Sequence, residues 1–154
     1  MRNLVIATLM CVAAMSAKAQ VITSEVVNSN YEAVINQNDG CYAYNAEYTG
    51  NDITTMYIYK VNTNDRKVTT LTPHLKYDYT YDADGMLTSR VVSRWMGNLN
   101  EWTCSARYDY MLVDDVYTTA YSRYNHMANR FDEPAEKMVY SLESDDMPLL
   151  FAMK

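Results

Sequence analysis

The sequence predicts an all-β domain: an antiparallel meander of about eight to nine strands, folded into a curled sheet, a sandwich or a partly open barrel. Three observations carry this. In KYDYTYDADGMLTSR, residues 76–90, tyrosines alternate with polar residues up to a turn, and a second alternating stretch follows. Strand side chains point to opposite faces in turn, so Tyr77, Tyr79 and Tyr81 share a face with Leu75, opposite Lys76, Asp78, Thr80 and Asp82. All four glycines stand in turn contexts: Gly40 in QNDGC, Gly50 in TGND, Gly85 in DADG and Gly97 in WMGN. The segments between them are rich in Tyr, Val, Ile and Thr, which suit a pleated, half-buried surface.

Taken in order, the predicted strands are 31–37, 41–48, 53–61, 67–72, 75–82, 86–95, 101–112 and 116–124. In the strand after the DADG turn, alternation puts Leu87, Val91 and Trp95 on the inner face with Ser89 and Ser93, and Arg90 and Arg94 on the solvent face. In the next strand Trp102, Cys104, Ala106, Tyr108, Tyr110 and Leu112 form one unbroken inward set, opposed by Glu101, Thr103, Ser105, Arg107 and Asp109. Residues 129–143 fit two readings. One is a helix capped by Asp132 with Pro134 in its first turn. The other, which the alternation of Met138, Tyr140 and Leu142 favours, is a strand. The tail from Ser144, ending MPLLFAMK, is expected to form a last packed edge.

The chain of 154 residues suits one domain. Residues 1–19 read as an export signal cut before Gln20: Arg2, the 12-residue apolar run LVIATLMCVAAM, then Ala17 and Ala19 around Lys18. A permanent membrane span needs about 20 apolar residues, so stable membrane insertion is not expected. Residues 20–154 form the single Tyr-rich β domain, exported to the periplasm or beyond as a soluble protein. Losing the leader removes Arg2 and Lys18 but no acid, so of 13 basic and 19 acidic side chains the mature chain keeps 11 and 19. That charge repels phosphate backbones, and no stretch of sequence clusters Lys and Arg, which argues against a nucleic-acid partner. Cys41 and Cys104 remain in the mature chain. In oxidising surroundings they either bridge, closing a long loop, or stay as two separate thiols, and nothing in the sequence sets their distance.

The motif YTYDADGMLTSR, followed by the Trp pair across WMGNLNEW and by ARYDY, resembles the YD-type hairpin repeats of secreted bacterial proteins. Tyr79, Tyr81, Asp82, Gly85, Leu87, Thr88 and Arg90 fill that pattern. The chain also resembles the small exported domains of unknown function that gut anaerobes encode in many copies. The resemblance covers residues 53–125 loosely and 76–112 well, and it implies a fold rather than an activity. It departs from long arrays in spacing: the pairs Tyr57/Tyr59, Tyr79/Tyr81 and Tyr108/Tyr110 lie 22 and then 29 residues apart. One compact domain is the expectation.

No residue pattern points to a reaction or a cofactor. Asp82, Asp84 and Gly85 suggest a calcium loop, but counting from Thr80 the twelfth position, where an acid is needed, holds Val91. Turn chemistry is the simpler account of DADG. His74 and His126 have no ligands at metal spacing and are expected in exposed loops. The sequence carries no GxSxG elbow, HExxH helix or Gly-rich phosphate loop, so a non-enzymatic role is expected. Tyrosine joins apolar area to a hydroxyl at low entropic cost, and this makes it common in recognition surfaces. The candidate ligand-contacting residues are therefore Tyr77, Tyr79, Tyr81, Trp95, Trp102, Tyr108 and Tyr110, with core packing the simpler assignment for the tyrosines. A binding module for glycan, peptide or an envelope protein is the leading reading. A hydrolase acting on a polysaccharide or peptidoglycan and a structural spacer or inhibitor are the alternatives.

Overall fold

A computed structural model describes residues 21–37 and 40–141; the expected leader and the tail from Ser144 lie outside them. Among the described residues one helix, α1 (Ser24–Asn36), precedes eight strands: β1 (Tyr42–Thr49), β2 (Asp52–Thr63), β3 (Thr69–Tyr81), β4 (Leu87–Met96), β5 (Glu101–Val113), β6 (Val116–Asn125), β7 (Arg130–Phe131) and β8 (Glu136–Ser141). All pair antiparallel in one meandering sheet of order β1 to β7, and β8 pairs β6. The sheet is open and does not close into a barrel.

The helix replaces the strand expected at 31–37. Thr23 caps it, its Oγ1 accepting from Val26 N at 3.4 Å, and Glu25 lies in the first turn where the helix dipole favours an acid. Val27 and Tyr31, one turn apart, turn toward the sheet. Asn28 fastens the helix to the β1–β2 turn, donating from Nδ2 to Asn51 O at 2.8 Å and accepting from Ile53 N at 3.2 Å. Ser24 N donates to Gly85 O and Leu87 N to Ile22 O, so the helix start is held on the DADG turn. We call the face carrying α1 the inner face.

The residues expected as two strands, 67–72 and 75–82, form the single strand β3. Pro73 stays inside it because the pairing shifts there: Ile58 faces Leu75 but Tyr59 faces Pro73, leaving His74 as an extra, bulged residue. Similar bulges fall at Thr54 in β2, Thr88 in β4 and Ser105 in β5. Each one resets the alternation. Leu87 therefore lies opposite Tyr81 on the inner face, together with Arg90, Val92 and Arg94, while Val91, Ser93 and Trp95 are on the outer face. This reverses the assignment expected for all of β4 beyond Leu87. In β5, Ala106, Tyr108, Tyr110 and Leu112 face inward as expected, but Trp102 and Cys104 face outward.

The turns behave as read. In DADG, Asp82 Oδ1 accepts from Asp84 N at 3.0 Å and Met86 N at 2.9 Å, and Gly85 takes φ +76°, a conformation that favours glycine. Between β5 and β6 a two-residue reversal puts Asp114 and Asp115 at φ 48° and 60°, as a type I′ hairpin requires. Of the segment 129–143, the described residues form strands at β7 and β8 rather than a helix, and residues 142 and 143 lie outside them. Cys41, before β1, and Cys104, in β5, are separated by β2, β3 and β4 and are not joined by a disulfide. A bridge needs Cα atoms within about 7 Å, and three intervening strands at about 4.8 Å spacing put them beyond reach.

The core comprises Val27, Ile53, Met56, Tyr79, Leu87, Tyr110 and Tyr117, with Val21, Ile22, Tyr77, Tyr81 and Tyr108 packed around it. Ile53 is fully buried under α1. Ile53→Ala is expected to lose about 2–5 kcal/mol of stability, read as a lower urea midpoint at unchanged denaturant slope.

Candidate functional site

The seven predicted aromatic residues divide between the two faces. On the inner face the pairing registers lay out rows across the sheet, one running Tyr79, Arg90, Tyr108, Tyr121 and Glu136 from β3 to β8. Tyr79 and Tyr110 are buried, at 7% and 8% exposure, and are core rather than contact surface. Tyr77, Tyr81 and Tyr108 are half-buried. Tyr81 is committed as well, its hydroxyl donating to Ile53 O at 2.8 Å.

Arg90, expected in solvent, is held among these rings. Its guanidinium carbon lies 4.5 Å from the Tyr108 ring centroid and 5.6 Å from that of Tyr77. The π faces attract the cation, which compensates in part for a buried Nε without a hydrogen-bond partner. Tyr108 also meets Tyr121, with centroids 5.3 Å apart. Beside them Tyr108, Thr119, Tyr121, Glu136 and Met138 line a shallow cleft of about 260 Å³. Neither Arg90 nor Tyr121 was singled out by sequence reasoning. The Tyr121–Tyr108 pairing was open to discovery through the alternation of β6, whereas the position of Arg90 was hidden by the bulge at Thr88.

Burial raises the pKa of Tyr77, Tyr79, Tyr81 and Tyr110 above the ordinary tyrosine value, and Arg90 opposes it at Tyr77, Tyr79 and Tyr110. Further along the inner face His74 is half-buried in β3, not in an exposed loop, and its ring stacks on Tyr42 with centroids 5.9 Å apart. Burial first, then the cations Lys60 and Arg94, hold its pKa below the ordinary histidine value. His126 is exposed in the β6–β7 turn, as expected.

The outer face carries the other aromatic group. Trp95 and Trp102, paired across the β4–β5 hairpin, meet edge to face with centroids 5.2 Å apart. Trp102 also reaches Tyr57, at 6.0 Å, and Tyr57 stacks on Tyr59 at 6.4 Å. β3 and β4 lie between Trp102 and Tyr57, and the row Tyr57, Lys76, Ser93, Cys104 has a small residue at its centre. Ser93 is only 3% exposed, and its small side chain leaves room on this face for the indole to lean toward β2. Tyr57 donates its hydroxyl to Glu47 Oε1 at 3.2 Å. All four rings remain half-exposed.

An open antiparallel meander with a short helix on one face and aromatic groups on both defines a small all-β domain. The chain belongs to the family described as "Family of unknown function (DUF3836)", whose model matches residues 1–142. Its fold is similar to that of a DUF3836 family protein from Bacteroides vulgatus, at 24% identity and TM-score 0.60, over 66% of this chain and 99% of that one. A DUF3836 family protein from Parabacteroides distasonis matches at 16% identity and TM-score 0.55, over 66% and 91%. A protein of unknown function from Bacteroides fragilis matches at 21% identity and TM-score 0.58, over 73% and 79%. No curated protein matches the chain.

A group with a raised folded pKa adds stability in full below its unfolded value and loses it as pH climbs past that value, because the unfolded chain gives up the proton first. Stability is therefore expected to fall above about pH 10. Phenolate absorbance from Tyr77, Tyr79, Tyr81 and Tyr110 should appear together with loss of the circular dichroism signal, and Tyr79→Phe should make the alkaline decline shallower.

Proposed function

We propose that this chain is an exported, non-enzymatic binding module, built on Tyr-Asp hairpins, that engages a glycan through the outer-face run Trp95, Trp102, Tyr57 and Tyr59. The observation that carries this reading is the continuity of that run. Four rings touch in sequence across β2, β4 and β5 on the face opposite the core, and each keeps part of its surface in water. Aromatic rings left half-wet in a chain have apolar area available for a flat sugar face, and edge-to-face packing holds them rigid, so little ordering entropy is lost on contact. Polar groups border the run: Glu47 on Tyr57, and the Lys76–Asp78 ion pair at 2.9 Å in the adjoining rows. Hydrogen-bonding groups around an aromatic centre are what orient a ligand in such surfaces.

Tyr77, Tyr79, Tyr81, Tyr108 and Tyr110, which shared the candidate list, serve the core and the inner cleft in this reading. The test is a glycan and peptide array probed with the folded protein, repeated with Trp95→Ala and Trp102→Ala. Glycan binding is expected, and each substitution should weaken it by at least about tenfold with the circular dichroism spectrum retained. Trp102→Phe should restore part of it. Binding to peptides alone, or binding of uncharged glycans that survives both alanine variants, overturns the proposal.

A further inference from the structure

Both ion pairs among the described residues lie on the outer face: Lys76 with Asp78 at 2.9 Å, and Arg107 with Asp109 at 2.8 Å. The inner face carries cations without such partners. Lys60, Arg94 and Arg123 are exposed there and Arg90 is half-buried, and none has a carboxylate within ion-pair distance among the described residues. The registers place them close together. Arg94 belongs to the row Ile58, Leu75, Arg94, Thr103; Arg123 to the next, Met56, Tyr77, Val92, Ala106, Arg123; and Arg90 to the third. Rows are about 6.7 Å apart along a strand and neighbouring strands about 4.8 Å apart, so the three guanidinium positions span roughly 13 Å. Lys60 follows Ile58 along β2, and His74 comes between it and Arg94 from the bulge in β3.

Ring surfaces are interleaved with these charges. Tyr42 stacks on His74, Tyr77 and Tyr108 flank Arg90, and Tyr121 lies against Tyr108. Carboxylates on this face stand at its margins: Glu101 at the start of β5, Glu136 at the far end of the third row, and Asp132 just after β7. Asp132 N donates to Arg123 O, and its Oδ1 accepts from Asn125 Nδ2 rather than pairing with the Arg123 guanidinium. In a chain of net charge −6, cations gathered on one surface repel one another, and an anionic ligand bound there relieves that repulsion.

We propose that the end of the inner face farthest from α1 binds a carboxylate-bearing oligosaccharide, one built from uronate sugars. Arg94 and Arg123 receive sugar carboxylates through forked hydrogen bonds, Lys60 adds a point charge at one end, and the Tyr42, Tyr77 and Tyr108 rings border the sugar faces. A ligand with one carboxylate on each ring matches the alternation of guanidinium and phenol, which an acidic peptide does not. A polynucleotide, more densely charged, meets the repulsion of the acidic remainder of the chain. The site lies across the sheet from Trp95 and Trp102 and rests on a separate observation.

Calorimetric titration of the folded protein with oligogalacturonate of about eight sugars, in about 50 mM and about 500 mM salt, tests this. Binding is expected at low salt, weaker at high salt, and absent with the methyl-esterified oligosaccharide, which keeps the rings and loses the charges. The double variant Arg94→Gln/Arg123→Gln should weaken binding by about tenfold or more, while Arg66→Gln/Lys67→Gln, an equal charge change in the exposed β2–β3 turn, should leave it unchanged. No binding, equal binding of the ester, equal binding of polyglutamate or single-stranded DNA, or full affinity in the folded double variant each overturns the proposal. If the double variant does not fold, Lys60→Gln and Arg94→Gln singly decide it: a loss in either upholds the site, and no change in both removes it.

Discussion

The two-residue period of a strand, and the four bulges that reset it, govern where every side chain of this sheet goes. Thr54, His74, Thr88 and Ser105 are each an extra residue in one of the first four hairpins, and each moves the residues beyond it to the other face. The consequence is chemical as well as geometric. Without the bulge at Thr88, Leu87 and Arg90 would lie on opposite faces; with it, the leucine enters the core and the arginine comes to rest between tyrosines. Without the bulge at Ser105, Trp102 would join Tyr108 on the inner face instead of Tyr57 on the outer one. Bulges also strengthen local twist, consistent with a sheet of eight strands that stays open.

Tyrosine performs three separable tasks on this frame. Tyr79 and Tyr110 act as apolar core, their hydroxyls held protonated by burial. Tyr77 and Tyr108 present π faces to Arg90, which lets a cation be half-buried without an acidic partner. Tyr57 and Tyr59 stay half in water with Trp102. The same residue type serves all three because its ring is apolar while its hydroxyl and π cloud remain polar handles. Burial, not residue identity, separates the tasks, and burial is set by α1, which covers the inner face only at the end carrying Ile53, Tyr81 and Leu87.

Membership of a family of unknown function, with similar folds from Bacteroides and Parabacteroides, places the architecture and leaves the function to be argued from surfaces. The two surfaces differ in kind. On the outer face ions neutralise one another beside an aromatic run; on the inner face, among the described residues, the cations form no ion pairs and lie among rings. Different electrostatics on the two sides of one sheet are what a module contacting unlike ligands would have.

The sequence by itself determined the all-β class, the turns at Gly50, Gly85 and Gly97, the tyrosine ladder of β3 and the facing of Trp95 and Trp102 across their hairpin. These are local: period-two alternation and turn chemistry act within a few residues, so they are written where they operate. The helix at Ser24–Asn36 was obscured because Val27 and Tyr31 become an apolar stripe only when the β1–β2 turn and the DADG turn stand beside them. The bulges were hidden because an extra residue in one strand is defined against its partner. The cationic surface was hidden for the same reason. Lys60, Arg90, Arg94 and Arg123 are scattered over three strands in a chain with no basic run, and only antiparallel registry, which brings residues up to 63 positions apart within two rows of one another, decides that they share a face.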